Sequence, residues 1–170
     1  MSLFDKCVEY VIEDEGGYVD HPADPGGATK YGCTKKVWEE YVGHEVTKDD
    51  IKNLTKDDVK PIYKKRYWDA IHGDVIPEGL SYCLFDTAIN SGVGRASRII
   101  QEMVGVFPDG AIGNNTLFAV NQFKDIKLLI NEYCDKRLTF LKTLKTWDTF
   151  GKGWANRVEK VRQRALQMVN

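Results

Sequence analysis

Glu15, Asp24 and Thr29 lie in one glycine-broken stretch, Glu13–Thr34, reading EDEGGYVDHPADPGGATKYGCT. Two carboxyls in unlike surroundings, one dry and one wet, are the minimum equipment for the acid and base roles of glycoside hydrolysis. Glu15 is the dry one. Leu3, Phe4, Cys7, Val8, Val11 and Ile12 recur at three- and four-residue steps, the period of one buried helix face. Continued at about 100° per residue, that face brings Glu15 between the directions of Val8, Val11 and Ile12. Apolar surroundings disfavour the ionised form of a carboxyl, which suits a proton donor. Glu13 and Asp14 fall off the face and read as solvated carboxylates. Taken alone, Glu15 also fits an idle last-turn glutamate, and an acid there opposes the helix dipole. Such a conflict between local rule and placement is itself a mark of function. Gly16 and Gly17 then end the helix, Gly16 as a left-handed cap. From Asp20 to Gly27 the chain is a run of turn formers, which delivers Asp24 and Thr29 from irregular backbone facing the helix end.

The strings Glu15-Gly16-Gly17-Tyr18, Asp24-Pro25-Gly26-Gly27-Ala28-Thr29 and Lys30-Tyr31-Gly32 resemble the N-terminal signature of glycoside hydrolase family 108, N-acetylmuramidases found as phage endolysins and in related bacterial proteins. The Glu, Asp, Thr order also resembles the triad of phage-type lysozymes. Eight residues separate Glu15 from Asp24, as in those enzymes, but four rather than five separate Asp24 from Thr29. Asp20 and Cys33 stand where the family commonly has Asn and Ile or Val. The resemblance implies Glu15, Asp24 and Thr29 as catalytic residues and Tyr18 as a substrate contact.

The chain has 170 residues, enough for one domain with a real core. At 42% hydrophobic and 29% charged it reads as soluble and globular. A formal net charge of -1 argues against nucleic acid as the main partner. Near the C-terminus Lys152, Arg157, Lys160, Arg162 and Arg164 face Glu159 alone, a basic segment that suits an anionic polymer such as cell wall or simply balances the acidic N-terminal part. Cys7, Cys33, Cys83 and Cys134 form no CxxC pair and His21, His44 and His72 show no ligand spacing, so neither a metal nor a cofactor is expected. Cys7 and Cys83 read as core residues, with a disulfide left open. Asp5, Lys6 and Glu9 interrupt the N-terminal apolar residues, and nothing approaches the about 20 apolar residues of a membrane span. The expectation is synthesis in a host bacterial cytoplasm without stable membrane insertion, with release to the wall supplied by something else. The phage resemblance implies a holin-type partner, and the protein is taken to act as a monomer.

Helices must position these groups. Thr34 caps a helix through Tyr41 that stops at Gly43, and Thr47 with Asp50 and Thr55 with Asp58 read as capping boxes. The second opens a segment from Lys56 to Ile71, bent at Pro61. Its Trp68 offers a flat face for a sugar, although core packing is the commoner fate of such rings. In LSYCLFDTAIN, residues 80–90, Asp86 and Asn90 share a face, where burial is costly unless they are paired, so a cleft wall is a sensible address. FDTAINSGVG resembles the helix facing the catalytic one in the same family, which implies Asn90 as a substrate contact and Asp86 as structural or substrate-binding. Gln101, Gly105, Val106, Asp109-Gly110, Gly113 and Thr116 resemble a peptidoglycan-binding helical fold with a glycine-bearing turn. Two helices, 125–144 and 154–169, finish the chain.

These features specify a mainly α, lysozyme-like domain over 1–170 with a short β-hairpin or irregular loop near residues 18–33. Its catalytic half is 1–92, and a helical half, 93–170, packs on it without a linker. The function implied is hydrolysis of the β-1,4 bond between N-acetylmuramic acid and N-acetylglucosamine in peptidoglycan glycan strands. An inverting course requires about 6.5–9.5 Å between the carboxyls, and about 5 Å would favour retention. A lytic transglycosylase, a non-catalytic wall-binding module and a secretion-assisting protein are the competing functions.

Overall fold

The computed structural model describes residues 1–20 and 27–169. The fold class is as expected, mainly helical with one small sheet. Two compact units divide at Arg66/Tyr67.

In the first unit, α1 (Leu3–Glu15) starts on a capping box. Ser2 Oγ accepts from Asp5 N at 3.1 Å and the Asp5 carboxylate accepts from Ser2 N at 3.3 Å. Its apolar stripe, Phe4, Cys7, Val8, Val11 and Ile12, is buried. The 18–33 region is a three-stranded antiparallel sheet, β1 (Val19–Asp20), β2 (Ala28–Lys30) and β3 (Cys33–Thr34), in the order β1-β2-β3. Val19 pairs with Thr29, Thr29 with Thr34, and Lys30 with Cys33. The β2–β3 turn is Tyr31-Gly32, both at positive φ (52° and 77°), as a two-residue hairpin turn of the primed type requires. Thr34 caps α2 (Lys35–Val42), accepting from Val37 N, and Gly43 closes it in the left-handed conformation. Capping boxes at Thr47 and Thr55 open α3 (Lys48–Lys52) and α4 (Lys56–Tyr63).

The long helix expected over Lys56–Ile71 is not continuous. Pro61 lies inside α4, and regular geometry gives way after Tyr63 to a π-turn over Lys64–Trp68. The extra residue in such a turn rotates the downstream side chains by about 100°.

In the second unit, Trp68 has no exposed surface. Its indole N–H donates to Asp74 at 2.9 Å, its ring meets Phe85 edge-on, and Gly73 lies so close beneath that a Cβ there would collide with the indole. Helix α5 (Leu80–Ser91) is buried from Leu80 to Ala88, all round, as a helix apolar on every side must be. It packs against α6 (Val93–Val104), α8 (Ile126–Lys142) and α9 (Trp147–Met168), so packing groups it with the later helices, whereas the sequence division was placed at 92/93. Between α6 and α7 (Asn114–Asn121), Gln101 organises the turn. Its Nε2 donates to Asp109, Ala111 O and Thr116, and its Oε1 accepts from Gly110 N, with Gly110 at φ 82°. All four cysteines are buried free thiols, with Cys83 and Cys134 Sγ 3.8 Å apart.

Asp86 is the polar centre of this unit. It is fully buried, with Arg137 Nη1 and Arg157 Nη2 each donating to its carboxylate at 2.7 Å. Burial alone would raise the Asp86 carboxyl, but the two guanidinium charges and their hydrogen bonds outweigh it and hold the group below the usual carboxylate range. A carboxyl depressed in the folded state adds stability above its unfolded pKa of about 3.9 and loses it as pH falls through the folded value. Asp86→Asn leaves buried guanidinium charge uncompensated and is expected to cost about 3–5 kcal/mol. Urea unfolding at pH 7 measures that loss. Repeated below pH 4, it should show the gap between variant and wild type narrowing.

Candidate active site

Glu15 is the last residue of α1, and two separate pieces of chain hold the backbone around it. The first is its own exit. Gly16 takes φ 75° and ψ -171°, positive φ but extended rather than the expected left-handed cap, and its N–H still reaches Ile12 O at 3.1 Å. Only glycine enters such a conformation without strain. The chain therefore leaves the helix extended, straight into β1. The second is the returning hairpin. Tyr31 N donates to Gly16 O at 3.0 Å, tying the β2–β3 turn to the helix end.

Gly32 makes this approach possible. A Cβ there would overlap the Tyr63 hydroxyl and sit 3.0 Å from Glu15 Cγ and 3.2 Å from Glu15 Cβ. Tyr63, buried on α4, donates its hydroxyl to Tyr31 O at 2.5 Å. The Glu15 stem is thus flanked by a bare glycine backbone, and an aromatic residue from α4 fixes the turn carrying that glycine. Apart from the adjoining chain, no described atom lies within 4 Å of where a Cβ on Gly16 or Gly17 would stand, so no other described residue crowds that side of the backbone. Glu15 itself is half-buried.

Strand pairing sets Thr29 opposite Val19, the residue that follows Tyr18. Both Tyr18 and Thr29 are half-buried. Asp24 lies outside the described residues. The sheet is anchored to α3 by Lys48 on Asp20 at 3.2 Å and by Lys30 Nζ on Lys52 O at 2.7 Å. Cys33, beside the turn, is no nucleophile. Burial pushes its thiol up to about 11 against the opposing charge of Arg66, which keeps it protonated near neutral pH.

The remaining expected substrate contacts belong to the second unit. Trp68, wholly buried, cannot offer a ring face to a sugar, which corrects that expectation; its role is packing. Asp86 is equally buried and engaged with two arginines, so of the two roles implied for it the structural one holds. Asn90 is exposed, with its Nδ2 donating to Asp86 O at 2.9 Å. Sequence reasoning gave Tyr63 and Arg137 no role and read Arg157 only as one cation of the basic C-terminal segment. Tyr63 was visible only as an apolar position in a helix, and pairings that span 51 and 71 residues leave no local signal.

Residues 8–92 match the family model for glycosyl hydrolase 108, half of the chain. The chain belongs to glycoside hydrolase family 108. Residues 95–159 match a second model, a predicted peptidoglycan domain. Among solved structures, SagA of Brucella abortus is 47% identical, with a TM-score of 0.86 over 97% of this chain and 94% of that one. No curated protein matches. This family 108 member is a peptidoglycan-active protein of lysozyme-like fold.

Gly32→Ala should force the turn away from Glu15, because the added methyl meets Tyr63 and the Glu15 stem and the backbone has positive φ. Displacements near 1 Å cost on the order of a hundredfold in rate. Turbidity clearing of purified sacculi is expected to slow about ten- to a hundredfold while circular dichroism keeps its helical signal. Tyr63→Phe should cost about 1 kcal/mol through the lost bond to Tyr31 O.

Proposed function

We propose that this protein is an N-acetylmuramidase, hydrolysing the β-1,4 bond between N-acetylmuramic acid and N-acetylglucosamine in peptidoglycan. The observation that carries the proposal is the setting of Glu15, a half-buried carboxyl at a helix end, held by the Tyr31-Gly32 turn and followed by a glycine pair that no described residue outside the adjoining chain crowds. The family membership supports glycoside cleavage as the reaction class.

Glu15, protonated, gives its proton to the glycosidic oxygen as the bond to muramic acid C1 lengthens toward an oxocarbenium-like transition state. Asp24, ionised, stabilises that charge and takes a proton from the attacking water, whose oxygen bonds to C1. Thr29 helps to hold the water. The products are a reducing muramic acid end and a free 4-hydroxyl on N-acetylglucosamine, with the configuration at C1 inverted. Tyr18 contacts the glycan beside the glycine pair, and Asn90 supplies a polar contact from α5. No metal or cofactor takes part in this scheme.

The same proposal makes the protein an endolysin acting as a monomer. It reaches the wall from the host cytoplasm by way of a holin-type membrane protein, and cell lysis is the outcome.

Purified sacculi digested with wild type and with Glu15→Gln, with the new chain ends identified by mass spectrometry, test the assignment. Reducing muramic acid ends are expected from the wild type, with at least a hundredfold fewer from the variant. Digestion by Glu15→Gln at the wild-type rate would remove the proposal. 1,6-Anhydromuramoyl ends would replace it with a lytic transglycosylase, and binding without any new ends would leave a wall-binding or secretion-assisting protein.

A further inference from the structure

Helix α9 opens with Trp147, Phe150 and Trp154, residues whose spacing puts them along one side. The Phe150 and Trp154 rings lie 5.7 Å apart and 28° from parallel, and the Trp147 and Trp154 centroids are 6.2 Å apart. Phe150 is 53% exposed and both tryptophans are half-exposed. Gly151 sits beneath Trp147, where a Cβ would stand 2.6 Å from the indole. A helix-interior glycine lowers helix propensity, and here it lets the ring lie down on the backbone.

Trp154 also walls a cavity of about 100 Å³ together with Asn90, Arg137, Leu141, Leu144 and Arg157. The cavity is apolar along Leu141, Leu144 and Trp154, and cationic at Arg137 and Arg157. Arg137 is 3% exposed and its Nε has no hydrogen-bond partner among the described residues. That Nε is sealed from solvent, so Arg157, with 20% of its side chain exposed on the cavity wall, is the guanidinium a ligand oxygen can reach. Guanidinium groups take carboxylates with geometric preference, apolar walls take a methyl, and a volume near three waters at about 30 Å³ each fits both together. The rings outside offer flat apolar area to the C–H face of a pyranose.

A pyranose bearing a methyl-substituted carboxylic acid is what muramic acid is. We propose that the Phe150–Trp154 surface and the Arg137/Arg157 cavity together bind a muramoyl unit of the glycan. The sugar lies on the rings, and the carboxylate of its lactyl group or alanine-containing stem enters the cavity. This rests on peptidoglycan being the substrate, and adds a glycan-recognition site built on α8 and α9 of the second unit.

The test uses full-length Glu15→Gln, so that no glycan is cut, with binding followed by tryptophan fluorescence and calorimetry. Three probes are titrated: N-acetylglucosaminyl-N-acetylmuramic acid, the same disaccharide carrying a tetrapeptide stem, and chitobiose, which has no carboxylate. At least one muramoyl probe should bind ten or more times more tightly than chitobiose. Preference for the bare disaccharide identifies the lactyl group as occupant, and preference for the peptide form identifies the stem. Leu144→Trp, which fills the cavity, should abolish the preference and leave chitobiose binding in place. Phe150→Ala, at an exposed position that does not threaten folding, should weaken all three probes at least threefold. Equal binding of the three probes, or a preference that survives Leu144→Trp, would overturn the proposal. Sacculus digestion by the wild type with no such preference leaves the hydrolase assignment intact and removes only this site. The preference without digestion would keep the site and remove the hydrolase.

Discussion

The approach of the Tyr31-Gly32 turn to the Glu15 stem is the constraint on which the first unit depends. A helix terminus frays easily and its last side chain is ordinarily free to wander. Here the terminus is held twice over, by the bond from Tyr31 N to Gly16 O and by the close passage of Gly32 against the Glu15 side chain. Each hold makes a demand on sequence. Gly16 must leave the helix at positive φ, Gly32 must lack a side chain, and Tyr63 must reach Tyr31 O from α4. The sheet's strands are only two or three residues long, too short to be stable alone. They are held by what they touch, including Lys48 on Asp20 and Lys30 on Lys52 O from α3.

The second unit solves a different problem. Helix α5 is enclosed on every side, yet it carries Asp86 at its centre. An unpaired carboxylate in that position would cost several kcal/mol. Arg137 from α8 and Arg157 from α9 answer it from two helices at once, so the ion cluster is correctly formed only when both are docked on α5. Such a cluster adds less to net stability than its short distances suggest, because three groups were desolvated to make it. What it supplies is a single register for α8 and α9, and with that a defined position for the Trp154 ring beside the arginines.

Local signals in the sequence were legible and long-range ones were not. The period of α1, the Thr34 cap, the capping boxes at Thr47 and Thr55 and the glycine turn at Gly110 each depend on residues within a few positions, and each appears as read. Helix α9 starts at Trp147 rather than at the expected Trp154, and Gly151 lies inside it beneath the Trp147 indole, where a Cβ would stand 2.6 Å from the ring. Trp68 was open to either fate until the π-turn and Gly73 showed how it is enclosed. For the candidate site, the position of Glu15 on its helix followed from periodicity. The turn pressed against it did not, since the signature string that holds Gly32 does not say what Gly32 touches, and Tyr63 lies far along the chain from it. The function of Asp24 continues to rest on spacing and on resemblance.

The central claim is that Glu15 is the proton donor to a glycosidic oxygen. It is tested most directly by comparing Glu15→Ala with wild type on two substrates that differ only in the leaving group's need for a proton. On glycan strands the departing sugar hydroxyl needs one, whereas an activated aryl glycoside of the same disaccharide leaves as a stable phenolate. The account predicts a loss of at least a hundredfold on strands and less than about tenfold on the aryl glycoside. Equal losses on both substrates, or none on either, would contradict it.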